Sequence, residues 1–222
     1  MKKTMTFIAA MTALASAGVA SADVTYTSTW ADQSGPAMLT SFDGSNDNLT
    51  FGYAEEGYTD DTGFFLQEAG LAGTPNATAA WVTNLVEGDT VTVSMWFKGT
   101  TSTTGATSKG RIWAHYTDND DVDAYAASAG GGPSGYAGLS GEWEMQEFTW
   151  TVAAGQTALA LEARIYASPA TDSEGVAYLL GDDMTVTVSN DSANVQMGGT
   201  IPAPGALALL GMAGLVARRR RA

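Results

Sequence analysis

Cysteine is absent from the 222 residues, histidine occurs once, and bases are scarce, with 10 Lys and Arg against 24 Asp and Glu. Without cysteine there is no disulfide framework, thiolate metal site or sulfur nucleophile. A single histidine, His115, excludes multi-histidine metal centres and leaves one candidate base for Ser-His-Asp chemistry. The net charge of −14 argues against a nucleic-acid partner, because phosphate binding needs basic patches. No Gly-x-Ser-x-Gly elbow and no phosphate-cradling glycine loop occurs. Glu142, Glu144, Glu147, Glu162 and Glu174 are raw material for a glycosidase pair, but their spacing forms no catalytic signature. The chain reads as a non-enzyme.

The few bases are unevenly distributed. All 24 acids lie between Asp23 and Asp191, where Lys98, Lys109, Arg111 and Arg164 are the only bases, a balance of −20. The other six sit at the ends, as Lys2, Lys3 and Arg218 to Arg221. The ends therefore read as addresses and the middle as the working domain. Residues 1–22 form a signal peptide: a Lys2-Lys3 n-region, an apolar run from Phe7 to Ala20, and a small-x-small cleavage signal at Ala20 and Ala22. Signal peptidase is the implied partner, and the protein is expected to be exported. A cysteine-free chain suits an exported protein that does not rely on oxidative folding.

At the other end, Ile201-Pro202-Ala203-Pro204-Gly205 precedes the apolar stretch Ala206 to Ala217 and then Arg218, Arg219, Arg220 and Arg221. The 13 small or apolar residues from Gly205 to Ala217 would make a helix of roughly 20 Å, short of the ~30 Å hydrocarbon core. The arginines should hold that end in the cytoplasm, making a weak, temporary transmembrane anchor. Motif, short apolar helix and arginine cluster resemble the PEP-CTERM sorting tail of Gram-negative bacteria, with Ala203 in place of the central Glu. That resemblance covers residues 201–222. It implies an exosortase-like processing enzyme as partner, transient membrane contact, and residence in the cell envelope or extracellular matrix.

The body, residues 23–190, is about 168 residues, enough for one domain with its own core. Period-2 alternation dominates it, and helical periodicity is lacking. Val91, Val93, Met95 and Phe97 share one face of a strand, as do Ile112, Ala114 and Tyr116. Phe148, Trp150 and Val152 do the same, followed by Leu159, Leu161, Ala163 and Ile165, and by Met184, Val186 and Val188. Val24 to Trp30, Leu49 to Tyr53, Gly63 to Gln67, Thr78 to Val82 and Val176 to Leu180 complete the set. Ten or eleven strands with Gly-, Asn- and Asp-rich joints predict an all-β, antiparallel two-sheet β-sandwich, a jelly roll. Gly99 to Gly110 and Ala124 to Gly141 read as loops, and residues 191–200 as a polar spacer.

Sugar-binding sandwiches stack pyranose rings on exposed aromatics while polar neighbours meet the hydroxyls. Trp96, Trp113 and Tyr166 fall opposite the core residues of their strands, with Arg111 and His115 beside Trp113 and Arg164 beside Tyr166. The same alternation also allows these aromatics simply to cover the outside of a sheet. Trp30, Trp81 and Trp150 are assigned to the core, and Trp143 to the core or an edge. The body also resembles the jelly-roll carbohydrate-binding modules attached to bacterial glycanases. Ala80-Trp81-Val82, Glu87-Gly88-Asp89, Gly141-Glu142-Trp143 and the Asp182-Asp183 strand carry that resemblance. Because such modules often hold one structural Ca²⁺ between an early loop and the last strand, it implies Asp43, Asp182 and Asp183 as a candidate calcium site. Asp118 to Asp123 also has alternating oxygen ligands, but it lacks the glycine and distal Glu of an EF-hand loop. The expected function is a non-catalytic matrix protein that contacts extracellular polysaccharide. The alternatives are a purely structural surface or biofilm protein, and less so a glycan-cleaving enzyme.

Overall fold

A computed structural model describes residues 23–42, 49–68, 75–101, 105, 107–168 and 177–200. Twelve strands form there: β1 (Val24–Ser28), β2 (Thr40–Phe42), β3 (Leu49–Ala54), β4 (Gly63–Glu68), β5 (Asn76–Thr83), β6 (Thr90–Gly99), β7 (Thr107–Thr117), β8 (Tyr125–Gly131), β9 (Glu144–Thr151), β10 (Ala158–Ser168), β11 (Ala177–Val188) and β12 (Asn194–Met197). One six-stranded sheet has the order β3-β4-β11-β6-β9, with β1 also on β11. The other runs β12-β5-β10-β7-β8, with β2 also on β5. Every pairing is antiparallel. From β4 onward nearly every connection crosses between the sheets, except β7 to β8. The result is the expected all-β sandwich.

The core lies between the sheets and follows from the alternation. Val91, Val93, Met95 and Phe97 of β6 are fully buried, as are Ile112 and Ala114 of β7 and Leu159, Leu161 and Ala163 of β10. Each large side chain among them contributes about 1.5–3 kcal/mol by leaving water. Two glycines make room for them. A Cβ on Gly181 would stand 2.1 Å from the Phe64 ring, and one on Gly110 would stand 2.8 Å from the Phe97 ring. Gly181 is the pairing partner of Phe64 in the same sheet, and Gly110 faces Phe97 from the opposite sheet, so each ring fills space that a side chain there would take.

Three expectations are corrected. The stretch read as a polar spacer, 191–200, carries β12, whose Val195 and Met197 are buried and pair with Val82 and Ala80. The sandwich thus continues beyond residue 190. Part of the glycine-rich segment read as a loop is β8, paired with β7. Its small residues form a strand because β7 supplies the hydrogen bonds and the packing. Val176 to Leu180 and Met184 to Ser189, read as two strands, are one, β11, with a register shift between Asp182 and Thr185. On one side of that shift β11 pairs with β4, and on the other with β1. The proposed signal peptide and the sorting tail lie outside the described residues, and so does Asp43.

Candidate functional site

Strands β7 and β10 pair in an unbroken register along the middle of their sheet. Because alternate residues point the same way, the pairs Lys109–Tyr166, Arg111–Arg164, Trp113–Glu162 and His115–Ala160 all fall on the outer face. Five of the six residues expected to contact sugar are thus gathered on one surface: Arg111, Trp113, His115, Arg164 and Tyr166. Three of the four bases in the acidic body, Lys109, Arg111 and Arg164, share it.

The centre of this face is built on a buried carboxylate. Glu162 is 2% exposed and Arg164 7%. Arg164 Nε donates to Glu162 Oε2 at 2.9 Å, and His115 Nδ1 donates to Glu162 Oε1. Both carboxylate oxygens are therefore engaged, which offsets the large desolvation cost of a buried charge. The arrangement also fixes Arg164, whose guanidinium lies 4.2 Å from the Trp113 ring centroid in a cation–π contact. On β8, the strand flanking β7 away from β10, a Cβ on Gly131 would come within 2.6 Å of the Trp113 indole.

Around this centre stands a rim of rings and cations. Tyr166 meets Tyr136 edge-on at 4.9 Å, and Lys109 Nζ lies 4.2 Å above the Tyr136 ring. Tyr136 is 43% exposed and is held here because the chain after β8 continues along β7, bridging Gly110 to Ala137. Arg111 donates from Nη2 to Gly132 O at 3.3 Å and stands 5.0 Å from the Trp113 ring. Two buried donors, Arg111 Nε and Trp113 Nε1, have no acceptor among the described residues. At the opposite end of the face, His115, Tyr125, Thr117 and Val122 line a small pocket with Glu162.

That end is closed by the acidic turn Asp118 to Asp123. Asp123 N–H donates to Asp121 Oδ1 at 2.9 Å, and Thr40 donates to Asp123 Oδ1 at 2.6 Å. These carboxylates act as turn and capping groups. Trp81 is buried as expected, but in a small satellite cluster with Ala158 and Ala160 on this outer face. A register shift between Leu161 and Glu162 in the β10–β5 pairing carries it there.

Trp96 is the exception among the expected contacts: it belongs to the other sheet. Its ring is stacked by Tyr58, with centroids 3.8 Å apart and planes 12° from parallel, and Trp143 stands edge-on to Tyr58 at 6.0 Å. Residues 55–62, joining β3 to β4, fold over this spot. They are pinned by Asp182, which is fully buried and accepts from Tyr58 N at 2.7 Å and Thr59 N at 3.3 Å. Desolvation pushes the Asp182 carboxyl up to about 6, against the lowering effect of backbone donors from Asp183, Tyr58 and Thr59. Asp183 accepts from Thr59 Oγ1. Asp43, the third residue of the expected calcium site, lies outside the described residues. Among the described residues no group of three or more His, Asp or Glu is placed to hold a metal ion.

Sequence reasoning missed Glu162, Lys109, Tyr125 and Tyr136 as members of the face. The first two carry a legible signal, lying at i−2 from Arg164 and from Arg111. The tyrosines lie in or beside β8 and its following loop, where nothing in the pattern points to β7.

No protein-family model matches the chain, and no curated protein matches it in sequence. Solved structures resemble it in architecture. The CBM22-1 xylan-binding domain of Paenibacillus barcinonensis Xyn10C superposes with a TM-score of 0.48 at 13% identity, covering 78% of this chain and 100% of that domain. The K1 cleaved adhesin domain of Lys-gingipain from Porphyromonas gingivalis W83 gives 0.44 at 16% identity, over 73% and 97% of the two chains. The CBM22-1–GH10 modules of Clostridium thermocellum xylanase 10B give 0.41 at 15% identity, over 75% of this chain and 27% of that one. Carbohydrate-binding modules are thus among its structural neighbours.

Proposed function

We propose that this chain is an exported, surface-sorted, non-catalytic β-sandwich that contacts polysaccharide through the outer face of the β10 sheet. One observation carries the reading: Arg111, Trp113, His115, Arg164 and Tyr166, singled out for sugar chemistry, lie on one face with Tyr136. The rings offer apolar surface for the C–H faces of pyranoses, and the cations offer donors for their oxygens. The face does not have the makings of a hydrolase. Glu162, the carboxylate beneath it, has both oxygens engaged by His115 and Arg164. PEP-CTERM-like sorting to the envelope or matrix of a Gram-negative-type bacterium belongs to the same proposal.

Binding of the full chain to a panel of soluble polysaccharides tests it. Tyr166→Ala is expected to weaken binding by roughly tenfold or more, as loss of an aromatic anchor does. Trp96→Ala, on the opposite sheet, should leave affinity unchanged. Equal losses in both variants would remove the assignment of this face. A ligand-free structural role is the second reading, favoured by the enclosure of Trp113 between Arg164 and Gly131. Absence of binding across the panel would leave that role standing.

The sorting part is tested separately. Deleting Arg218 to Arg221 is expected to leave export intact but to abolish retention and processing, because four charges no longer oppose translocation of the tail. Equal amounts of cell-associated, processed protein with and without the arginines would count against it.

A further inference from the structure

The charges on this face are not what a neutral sugar requires. The body carries 24 acids and four bases, yet three of those bases are collected on the outer face of β7 and β10. Lys98, the fourth, is paired with Glu56 at 2.6 Å on the other sheet. Arg164 is matched by Glu162. Lys109 and Arg111 form no ion pair among the described residues. They rest instead on the rings of Tyr136 and Trp113, at 4.2 and 5.0 Å. In so acidic a domain, two cations without a carboxylate partner among the described residues depart from what attraction within the chain alone would arrange.

A second observation points the same way. Lys109, Arg111 and Trp113 follow one another at every second residue of β7, so their donors form a row along one strand. Arg111 Nε and Trp113 Nε1 in that row are buried, with no acceptor among the described residues. Both atoms are closed to solvent, so what the row presents to a ligand is the charge of Lys109 and Arg111. An acceptor-rich, negatively charged group meets these cations, and a guanidinium takes a carboxylate or sulfate in a two-pronged fashion. The Asp118 to Asp123 turn lies at the far end of the face, so the row has a positive and a negative end.

We infer that the ligand of this face is an acidic polysaccharide, whose carboxylate or sulfate groups are held by Lys109 and Arg111. The inference rests on the polysaccharide reading above and names its substrate class. General attraction does not produce such binding, because a body at −20 repels a polyanion everywhere else.

The test compares four polymers with the full chain: polygalacturonate, the same polymer after reduction of its carboxyl groups, carrageenan as a sulfate ester, and neutral xylan. Charged acceptors add about 1 kcal/mol per hydrogen bond over neutral ones, so an acidic polymer should bind roughly tenfold or more tightly than the neutral pair. That advantage should shrink as salt is raised. Preference for polygalacturonate identifies carboxylate as the group held; preference for carrageenan identifies sulfate. Lys109→Gln and Arg111→Gln should each erase most of the preference for the acidic polymer over its reduced form, whatever each costs in binding common to both. Lys109→Gln guards against a misfolded Arg111 variant, because its side chain is half-exposed. Equal affinity for polygalacturonate and its reduced form, with carrageenan no better than xylan, would overturn the inference and leave the polysaccharide reading intact. No binding to any polymer would overturn both. Acidic preference unchanged in the two variants would overturn the assignment to β7.

Discussion

Glu162→Ala is expected to destabilise the sandwich by about 3–5 kcal/mol, the usual consequence of removing one partner of a buried ion pair. At ~2–4 °C per kcal/mol for a domain of this size, the melting temperature should fall by roughly 10 °C. Glu162 is 2% exposed, and it is the carboxylate that Arg164, itself 7% exposed, reaches in the structure. Its loss leaves a guanidinium buried beside Trp113 with no counter-charge. Replacing both residues, as Glu162→Leu with Arg164→Met, should recover most of the loss, because well-packed apolar pairs often match or exceed a buried ion pair. The double variant should nevertheless lose polysaccharide affinity, since Arg164 is part of the binding face. Thermal melts of the three proteins read the outcome directly. A single variant melting within ~2 °C of the parent would show that the pair is not held as described.

Asp182→Asn is expected to stabilise the protein at pH 8 and to do so less as the pH falls. The folded-state carboxyl sits at about 6, above its ordinary 3.8, because burial penalises the charged form. The folded state therefore holds a proton between pH ~4 and ~6 that the unfolded chain has already released, and stability from this group is lost as pH rises through that window. An amide stays neutral throughout, and its oxygen still accepts from Tyr58 N and Thr59 N. The gain at pH 8 should be on the order of 1–2 kcal/mol after allowance for loop relaxation, and it should vanish near pH 4. A stability difference between the two proteins that is constant from pH 4 to 8 would sink the assignment. Run in EDTA and in millimolar Ca²⁺, the same melts test the calcium proposal. An ion shared by Asp43, Asp182 and Asp183 would raise the parent by roughly 5–10 °C and leave Asp182→Asn unmoved.

The sandwich was legible where strands bury one face and wet the other. In β6, β7 and β10 the alternation named the core residues correctly, from Val91 to Phe97 and from Leu159 to Ile165, because period-2 burial leaves its imprint residue by residue. β8 and β12 were not legible. β8 is rich in Ala and Gly and has little pattern of its own, and β12 alternates polar and apolar over only four residues; they are strands because β7 and β5 offer edges beside them. The outer-face positions of Trp96 and Trp113 were equally visible, yet nothing local to either strand says which sheet it joins.

The sequence by itself thus determined the all-β class, the inner and outer sides of the long strands, and the acidity of the body with its few bases. These depend on side-chain chemistry and on a period of two, both of which are local. Only the tertiary structure decided that Arg111 lies opposite Arg164 and Trp113 opposite Glu162, that Tyr136 returns over Lys109, and that Trp96 is stacked by Tyr58 away from the rest. Those juxtapositions are set by strand register and by register shifts, at Glu162 against β5, at Asp182 against β6 and at two places along β7 against β8. Register is a property of pairs of strands far apart in the chain, and a shift of one residue would turn every one of these side chains to the other face.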